Sequence, residues 1–435
     1  MSETILIQQA AIEGGERADL LIDGGVIAEV GQGLQREGAR VIDASGLIAL
    51  PGLVDLHVHL REPGYEASET VLTGTRAAAA GGFTAVFAMP NTLPVADSAD
   101  VVERELDLGE AAGYATVQPI GAVTIGQQGQ ALADIDGMAR SRAAVRVFSD
   151  DGFCVSDPLL MRQALERVAE FGGVVAQHAQ DPRLTEGAQM NEGVVSAELG
   201  LAGWPAVAEE SIIARDVLLA EHLGARLHVC HLSTAGSVDV VRWAKQRGVQ
   251  VTAEVTPHHL LLTDELVRTG DPRYKVNPPL RRDEDVLAVR RGLADGTIDI
   301  VATDHAPHPA EAKTGEWSQA ANGMVGLESA LRVVHQTMLE TGLLTWADVA
   351  RVMSKAPARI GLLPGHGTPL EAGQPAEIVL YDPSSRAEFT VADLRGQSTN
   401  TPYGGRQLPG SVRWTIHRGY VTLADGELVE LEDHA

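Results

Sequence analysis

The chain has 435 residues, 44% hydrophobic and 21% charged, enough for one large α/β barrel with an appendage, which excludes a disulfide miniprotein and a disordered chain. Its formal charge of -25, from 59 acidic against 34 basic side chains, repels nucleic acid and anionic membrane, so an anionic substrate requires a local cation. No apolar run approaches the roughly 18 residues of a membrane span, the first residues lack a leader pattern, and the two cysteines, Cys154 and Cys230, form no C-x-x-C, so a cytoplasmic protein with buried thiols is expected.

The first fifty residues, ILIQQAAIE through ADLLIDGGVIAEVGQGL to ARVIDASGLIALPG, read as short strands broken by Gly-containing turns. The middle alternates short apolar runs with Ala-, Leu- and Arg-rich stretches of helical period. Eight runs are candidate strands. They are LVDLHVH at 53–59, TAVFAM at 84–89, ATVQPIG at 115–121, AVRVF at 144–148, VVAQH at 174–178, ARLHVCH at 225–231, VQVTAEV at 249–255 and DIVATD at 299–304. Eight strands with helices between them predict a (β/α)8 barrel of the TIM type over 51–360. A doubly wound sheet is the alternative, but no G-x-G-x-x-G follows the first strand. The final segment returns to strands, in PAEIVLYDP, SVRWTIHRGYVTL and GELVELE. Residues 1–50 and 361–435 are therefore expected to build one small β-rich domain from both termini.

A barrel places its chemistry at the C-terminal ends of its strands, and metal-ligand residue types gather there. The first strand ends in His57-Val58-His59, whose period of two sets both imidazoles on one face. The fourth runs into Asp150-Asp151-Gly152, the fifth ends at His178, the sixth at His231, and the eighth at Asp304-His305. One strand-end histidine is more often a packing residue than a ligand; the conjunction is what argues for a metal site. Imidazoles and carboxylates suit a borderline divalent ion such as zinc, and six ligands exceed one tetrahedral shell, so two ions sharing a bridging carboxylate are expected. His228 falls on the opposite strand face from His231, and TPHH at 256–259 is read as shaping a loop. His222, His335, His366, His417 and His434 read as surface or packing residues.

These segments resemble the dihydroorotases of the amidohydrolase superfamily, specifically the bacterial class bridged by an aspartate. The resemblance rests on PGLVDLHVHLREPG at 51–64, GGFTAVFAMPNT at 81–92, FSDDG at 148–152, AQH at 176–178, HVCHLST at 228–234, KVNPPLR at 275–281, ATDHAPH at 302–308, GMVGLE at 323–328 and APARIGL at 356–362. It implies that His57, His59 and Asp304 bind one ion, that His178 and His231 bind the other, and that Asp151, the second aspartate of D-D-G, bridges them. It implies substrate contacts at Arg61, Asn91, Asn277 and His308, with Asn322 and Gly323 contributing from the loop before GMVGLE. That loop has Ala320-Ala321-Asn322 where many relatives carry a proline. The implied reaction is reversible hydrolysis of L-dihydroorotate to N-carbamoyl-L-aspartate in pyrimidine synthesis, by a metal-bridging hydroxide with Asp304 as catalytic proton shuttle. Arg61, two residues past His59, would project into the same mouth if the extended chain continues.

The four lysines, Lys245, Lys275, Lys313 and Lys355, bear on the alternatives. Hydantoinases, allantoinases and mammalian-type dihydroorotase domains bridge their metals with a carboxylated lysine placed before the strand-5 histidine, and this chain has no lysine before Lys245. A hydantoinase-like amidase is disfavoured on that ground. A non-catalytic scaffold for aspartate transcarbamoylase is disfavoured by the full set of ligand types. A homo-oligomer, and aspartate transcarbamoylase as a possible partner of an active enzyme, are also implied.

Overall fold

The computed structural model describes residues 3–431, so His434 lies outside the described residues. Eight parallel strands form the barrel: β1 (Leu53–Val58), β2 (Phe83–Ala88), β3 (Thr116–Pro119), β4 (Val147–Phe148), β5 (Val174–Gln177), β6 (Leu227–Val229), β7 (Val251–Val255) and β8 (Ile300–Val301). β1, β2 and β3 form one parallel run, and β4 to β8 another. Single parallel bridges close the two seams, Gly121 to Phe148 between the runs and Val58 to His305 after β8. Closure rules out the doubly wound sheet.

Seven of the strands are shorter than the apolar runs that announced them, for local reasons, and β2 is shifted by one residue from its run. AVRVF pairs only at Val147 and Phe148, because Ala144 turns through a left-handed φ of 45°. β8 ends at Val301, and the N–H of Thr303 goes instead to the Asp55 carboxylate at 3.1 Å. Alternate residues divide between two cores, as strands covered on both faces require. Val174 and Ala176 pack inside the barrel with Phe87 and Ile300, whereas Val175 joins Val229 and Val255 against the helices. Cys230 is buried inside the barrel; Cys154 is only half-buried, contrary to the expectation of two enclosed thiols.

The helix Ala356–Gly361 plugs the end where the strands begin, contributing Ala356, Ala358 and Ile360 to the inner core. Ser354 Oγ donates to Gly52 O at 2.6 Å, and Arg226 donates to Ile360 O at 2.7 Å. Beside the barrel lies a sheet of nine strands among the described residues, three more than the six terminal segments read from the sequence. Its halves come from opposite ends of the chain and meet where Ile48–Pro51 runs antiparallel to Ile378–Glu388. Ile5, Ile7, Leu20, Ile378, Leu380 and Ile416 build its own core. No helix among the described residues is long and apolar enough to cross a membrane.

The plug tolerates no side chain at Gly361, where a Cβ would lie 2.2 Å from Phe87 Cζ and 3.0 Å from Leu56 Cδ1. Gly361→Ala is expected to destabilise the protein by about 1–3 kcal/mol through overpacking, read as a lowered thermal midpoint.

Candidate active site

The N–H groups of His57 and Thr303 both donate to the Asp55 carboxylate at 3.1 Å, pinning β1 to the end of β8. The register of β1 against β2 shifts between Asp55 and Val58. The imidazoles of His57 and His59 lie with ring centroids 5.5 Å apart. Both face Asp151, at 3.4 Å from His57 Nε2 and 3.3 Å from His59 Nε2. From the opposite wall His178 Nδ1 and His231 Nε2 each approach Asp151 Oδ1 to 3.2 Å. Besides His57 with Cys230 and Glu254, donor atoms converge as two groups, His57 with His59 and Asp151, and Asp151 with His178 and His231. Asp151 is common to both. Asp304 Oδ1 stands 3.2 Å from His59 Nε2 and 3.5 Å from His57 Nε2, completing the first group.

His57 Nε2 is buried without a hydrogen-bond partner, an arrangement that costs free energy unless another group satisfies it. Asp304 and His231 hold left-handed φ of 50° and 31°, as does Arg61 at 65°. Three non-glycine residues in that region at one site is strain held by the surrounding fold. Burial alone would raise the pKa of Asp151, but the His57 charge and the hydrogen bonds from His178 and His231 hold it well below the usual carboxylate range. Burial alone would lower His57, and the charges of Asp151 and Glu254 outweigh it, pushing the imidazole well above its ordinary value.

The neighbouring Asp150 has a different task. Its carboxylate accepts from the N–H groups of Val123 and Thr124, at 2.8 and 3.0 Å, and from the Thr124 hydroxyl. All its oxygens are engaged away from the four histidines.

Above the donors opens a cavity of about 290 Å³ lined by His59, Arg61, Asn91, Asp151, Gly152, His178, Asn277, Asp304, Ala306, His308, Asn322 and Gly323. Every metal-ligand and substrate-contact residue that the resemblance implies borders it except His57 and His231, which are buried outside its lining. Arg61 reaches it by a route other than the one expected. Its left-handed backbone breaks the extended chain, and its Nε donates to Pro307 O at 3.2 Å. Asn91 Oδ1 accepts from His59 Nδ1 at 2.8 Å, which leaves the amide N–H groups of Asn91 for the cavity. Asn277 donates to Gln180 Oε1 at 3.1 Å, and its own Oδ1 is buried and unpartnered. His308 is pushed down to about 3 by burial and by the Arg61 charge, so the ring is neutral. Its one ring N–H, on Nε2, goes to Asn322 O at 2.7 Å. A donation from His308 to a bound carboxylate is therefore already committed within the loop. Gly323, at φ 137°, is obligatory, because a Cβ there would fall 2.9 Å from His308 Nε2.

The profile of the dihydro-orotase-like family matches residues 46–237. Over 428 residues the chain is 70% identical to the dihydroorotase of Leifsonia xyli subsp. xyli, covering 98% of each. The dihydroorotase of Streptomyces coelicolor is 66% identical over 98% of this chain and 100% of its own. That of Mycobacterium tuberculosis is 53% identical, over 95% and 96%. The chain belongs to the dihydroorotase family. Among solved structures, the L-hydantoinase of Arthrobacter aurescens superposes with a TM-score of 0.88 at 24% identity, covering 99% of this chain and 98% of that one. The D-hydantoinase of Thermus sp. superposes at 0.86 with 26% identity, covering 99% and 97%. They share the amidohydrolase barrel and its β-rich domain with this dihydroorotase family member.

None of its four lysines approaches Asp151. Lys245 pairs with Asp299 and Lys355 with Glu13, while Lys275 and Lys313 donate to backbone carbonyls. Several residues around the dihydroorotase site escaped the sequence reading. Glu254 binds His57 Nδ1 at 2.6 Å and His228 Nε2 at 3.0 Å, and Gln180 Oε1 accepts from His178 Nε2 at 2.8 Å. The signal for Glu254 was a lone acid inside the apolar run VQVTAEV. TPHH is a short helix, Pro257–Leu261, capped by Thr256, and not a loop. His259 bonds Thr256 there, while His258 Nε2 is buried without a partner and its pKa is driven well down by burial. His335, His366 and His417 pack as expected, on Tyr381, Thr84 and Glu377.

The two adjacent aspartates should separate cleanly. Asp150→Ala strands three buried donors and is expected to cost about 1–3 kcal/mol each in stability while bound metal is retained. Asp151→Ala is expected to lower metal content as well as the stability of the metal-stripped protein, because it takes the carboxylate partner from buried His57, both read by elemental analysis and thermal unfolding.

Proposed function

We propose that this protein catalyses the reversible hydrolysis of L-dihydroorotate to N-carbamoyl-L-aspartate, running toward ring closure in pyrimidine synthesis. The observation that carries the reading is a single cavity lined both by Asp304 and Asp151 and by Arg61. Such a cavity suits a small cyclic amide bearing a carboxylate. Near-full-length similarity to dihydroorotases supports it. Divalent metal is the cofactor that the donor set fits: four imidazoles and two carboxylates, with a buried His57 Nε2 that otherwise has no partner. Zinc is the ion we favour, two per chain. His57, His59 and Asp304 would hold one, His178 and His231 the other, and Asp151 both. Bound there, the ions would supply Lewis acidity that acidifies water and polarises the scissile carbonyl.

The side chains supply the rest. Arg61 holds the substrate carboxylate by charge-assisted hydrogen bonds and provides the local cation that a chain of charge -25 otherwise lacks. The free amide N–H groups of Asn91 donate to the same carboxylate, and the unpartnered Asn277 Oδ1 accepts a ring N–H. In hydrolysis the Asp304 carboxylate takes a proton from the attacking water and delivers it to the ring nitrogen as the C–N bond breaks. In ring closure it removes the proton from that nitrogen and returns it to the departing water. We place the protein in the cytoplasm, where two unpaired cysteines fit a reducing compartment.

Assay of the purified, metal-loaded protein with carbamoyl-aspartate and with dihydroorotate tests the assignment. Turnover of dihydrouracil, which lacks the carboxylate, at comparable kcat/KM would move it to the hydantoinases. Arg61→Met is expected to raise KM for dihydroorotate about tenfold to a hundredfold, the worth of a hydrogen bond to a charged group, with metal content unchanged. Asp304→Asn keeps an oxygen donor of similar shape and loses basicity. Its kcat should fall at least about a hundredfold in both directions, and near-wild-type turnover with metal content verified would leave Asp304 as a ligand only.

A further inference from the structure

Outside the cavity lining, one buried carboxylate touches both halves of the donor set. Glu254 stands on β7 and is 1% exposed. Its Oε1 accepts from His57 Nδ1 at 2.6 Å and from the backbone N–H of His231 at 3.1 Å. Its Oε2 accepts from His228 Nε2 at 3.0 Å, and His228 Nδ1 in turn meets the Thr252 hydroxyl at 2.8 Å. Glu254 does not line the cavity.

We infer that Glu254 is the positioning residue of the metal centre, fixing the tautomer and ring plane of His57 and tying that ring to the backbone of His231. The inference rests on the reading of His57 as a metal ligand.

With a cation in place of its second proton, an imidazole that donates from Nδ1 presents a lone pair at Nε2, and Nε2 of His57 is the buried atom with no partner, 3.4 Å from Asp151 and 3.5 Å from Asp304. Were the proton on Nε2, it would point into the donor cluster and repel a cation. A carboxylate on the far nitrogen also makes the ring a better donor. His59 has the same arrangement with a neutral partner, Asn91 Oδ1, so the two histidines of one strand differ in the charge behind them. The second contact of Oε1 matters equally. His231 holds a left-handed φ of 31°, and its N–H, turned away from the strand ladder, finds its acceptor in Glu254. The pair His228 and Thr252 occupies the other oxygen and keeps the carboxylate from rotating. His228, which the strand period set apart from His231, thus serves the site indirectly.

The side chain of Glu254 can be varied in two ways. In Glu254→Gln the amide oxygen can keep both bonds of Oε1, while the NH2 group faces His228, whose proton can move to Nδ1 and donate to Thr252. Geometry survives and charge is lost. Glu254→Ala removes both.

The test is titration of the metal-stripped protein with zinc against a chelating competitor, with thermal unfolding of the same stripped samples and His57→Asn as reference. Glu254→Ala is expected to weaken zinc binding about 10- to 100-fold. Glu254→Gln should weaken it less, because the hydrogen bond to His57 is retained without its charge. Unchanged zinc affinity in Glu254→Ala, with only a lowered melting temperature, would overturn the inference and leave Glu254 a packing residue. Should Glu254→Ala not fold, wild-type zinc affinity in Glu254→Gln overturns it in the same way. Wild-type affinity in His57→Asn would instead remove His57 from the ligands, and the premise with it.

Discussion

A carboxylate sealed among four imidazoles governs this molecule. Asp151 is 3% exposed, and a carboxylate taken so far out of water is tolerable only beside groups that can share a proton or a cation with it. His57, His59, His178 and His231 surround it at 3.2–3.4 Å from three different strands. Holding them there explains much of the surrounding architecture. The barrel has to close, which places Asp55 between β1 and the end of β8. The chain must leave β8 and β6 abruptly, which Asp304 and His231 accomplish with left-handed backbones.

Much of this was legible in the residues. Seven of the eight barrel strands fall within the apolar runs and the eighth, Phe83–Ala88, starts one residue before its run, and the candidate side chains converge on one cavity because strand ends of a closed barrel share one rim. What periodicity could not convey was where each strand stops, since that depends on single residues such as Ala144 and Asp304 leaving the extended region. The same limit explains Arg61, which reaches the cavity through a turn and not along an extended chain. TPHH carried a readable helix start, a capping Thr256 followed by Pro257 at the first helical position. The carboxylates behind the ligands are harder, because Asp55 and Glu254 are isolated acids in apolar strands and only tertiary partners reveal their use.

The charge balance around the cavity also departs from the chain average. Although acidic groups exceed basic ones by 25, the loop that frames the cavity buries two of the four lysines against carbonyls. Lys313 donates to Lys275 O and Ala321 O, and Lys275 donates to Trp317 O. Burial and the charge of Lys275 bring Lys313 down to about 7. Its charge, with that of Arg61, contributes to the depressed pKa of His308. Arg61 is the one Lys or Arg among the residues lining the cavity itself.

The sheet zipped from both ends of the chain has a consequence for biogenesis. Leu50 is paired with Val379, about 330 residues downstream. At the pace of synthesis, about 5–20 residues per second, the amino-terminal strands wait some tens of seconds for their partner. During that interval the barrel can condense while the edge of Ile48–Pro51 stands open, a template for pairing with another nascent chain. A message truncated before Ile378 would release a chain that lacks the strand covering that edge.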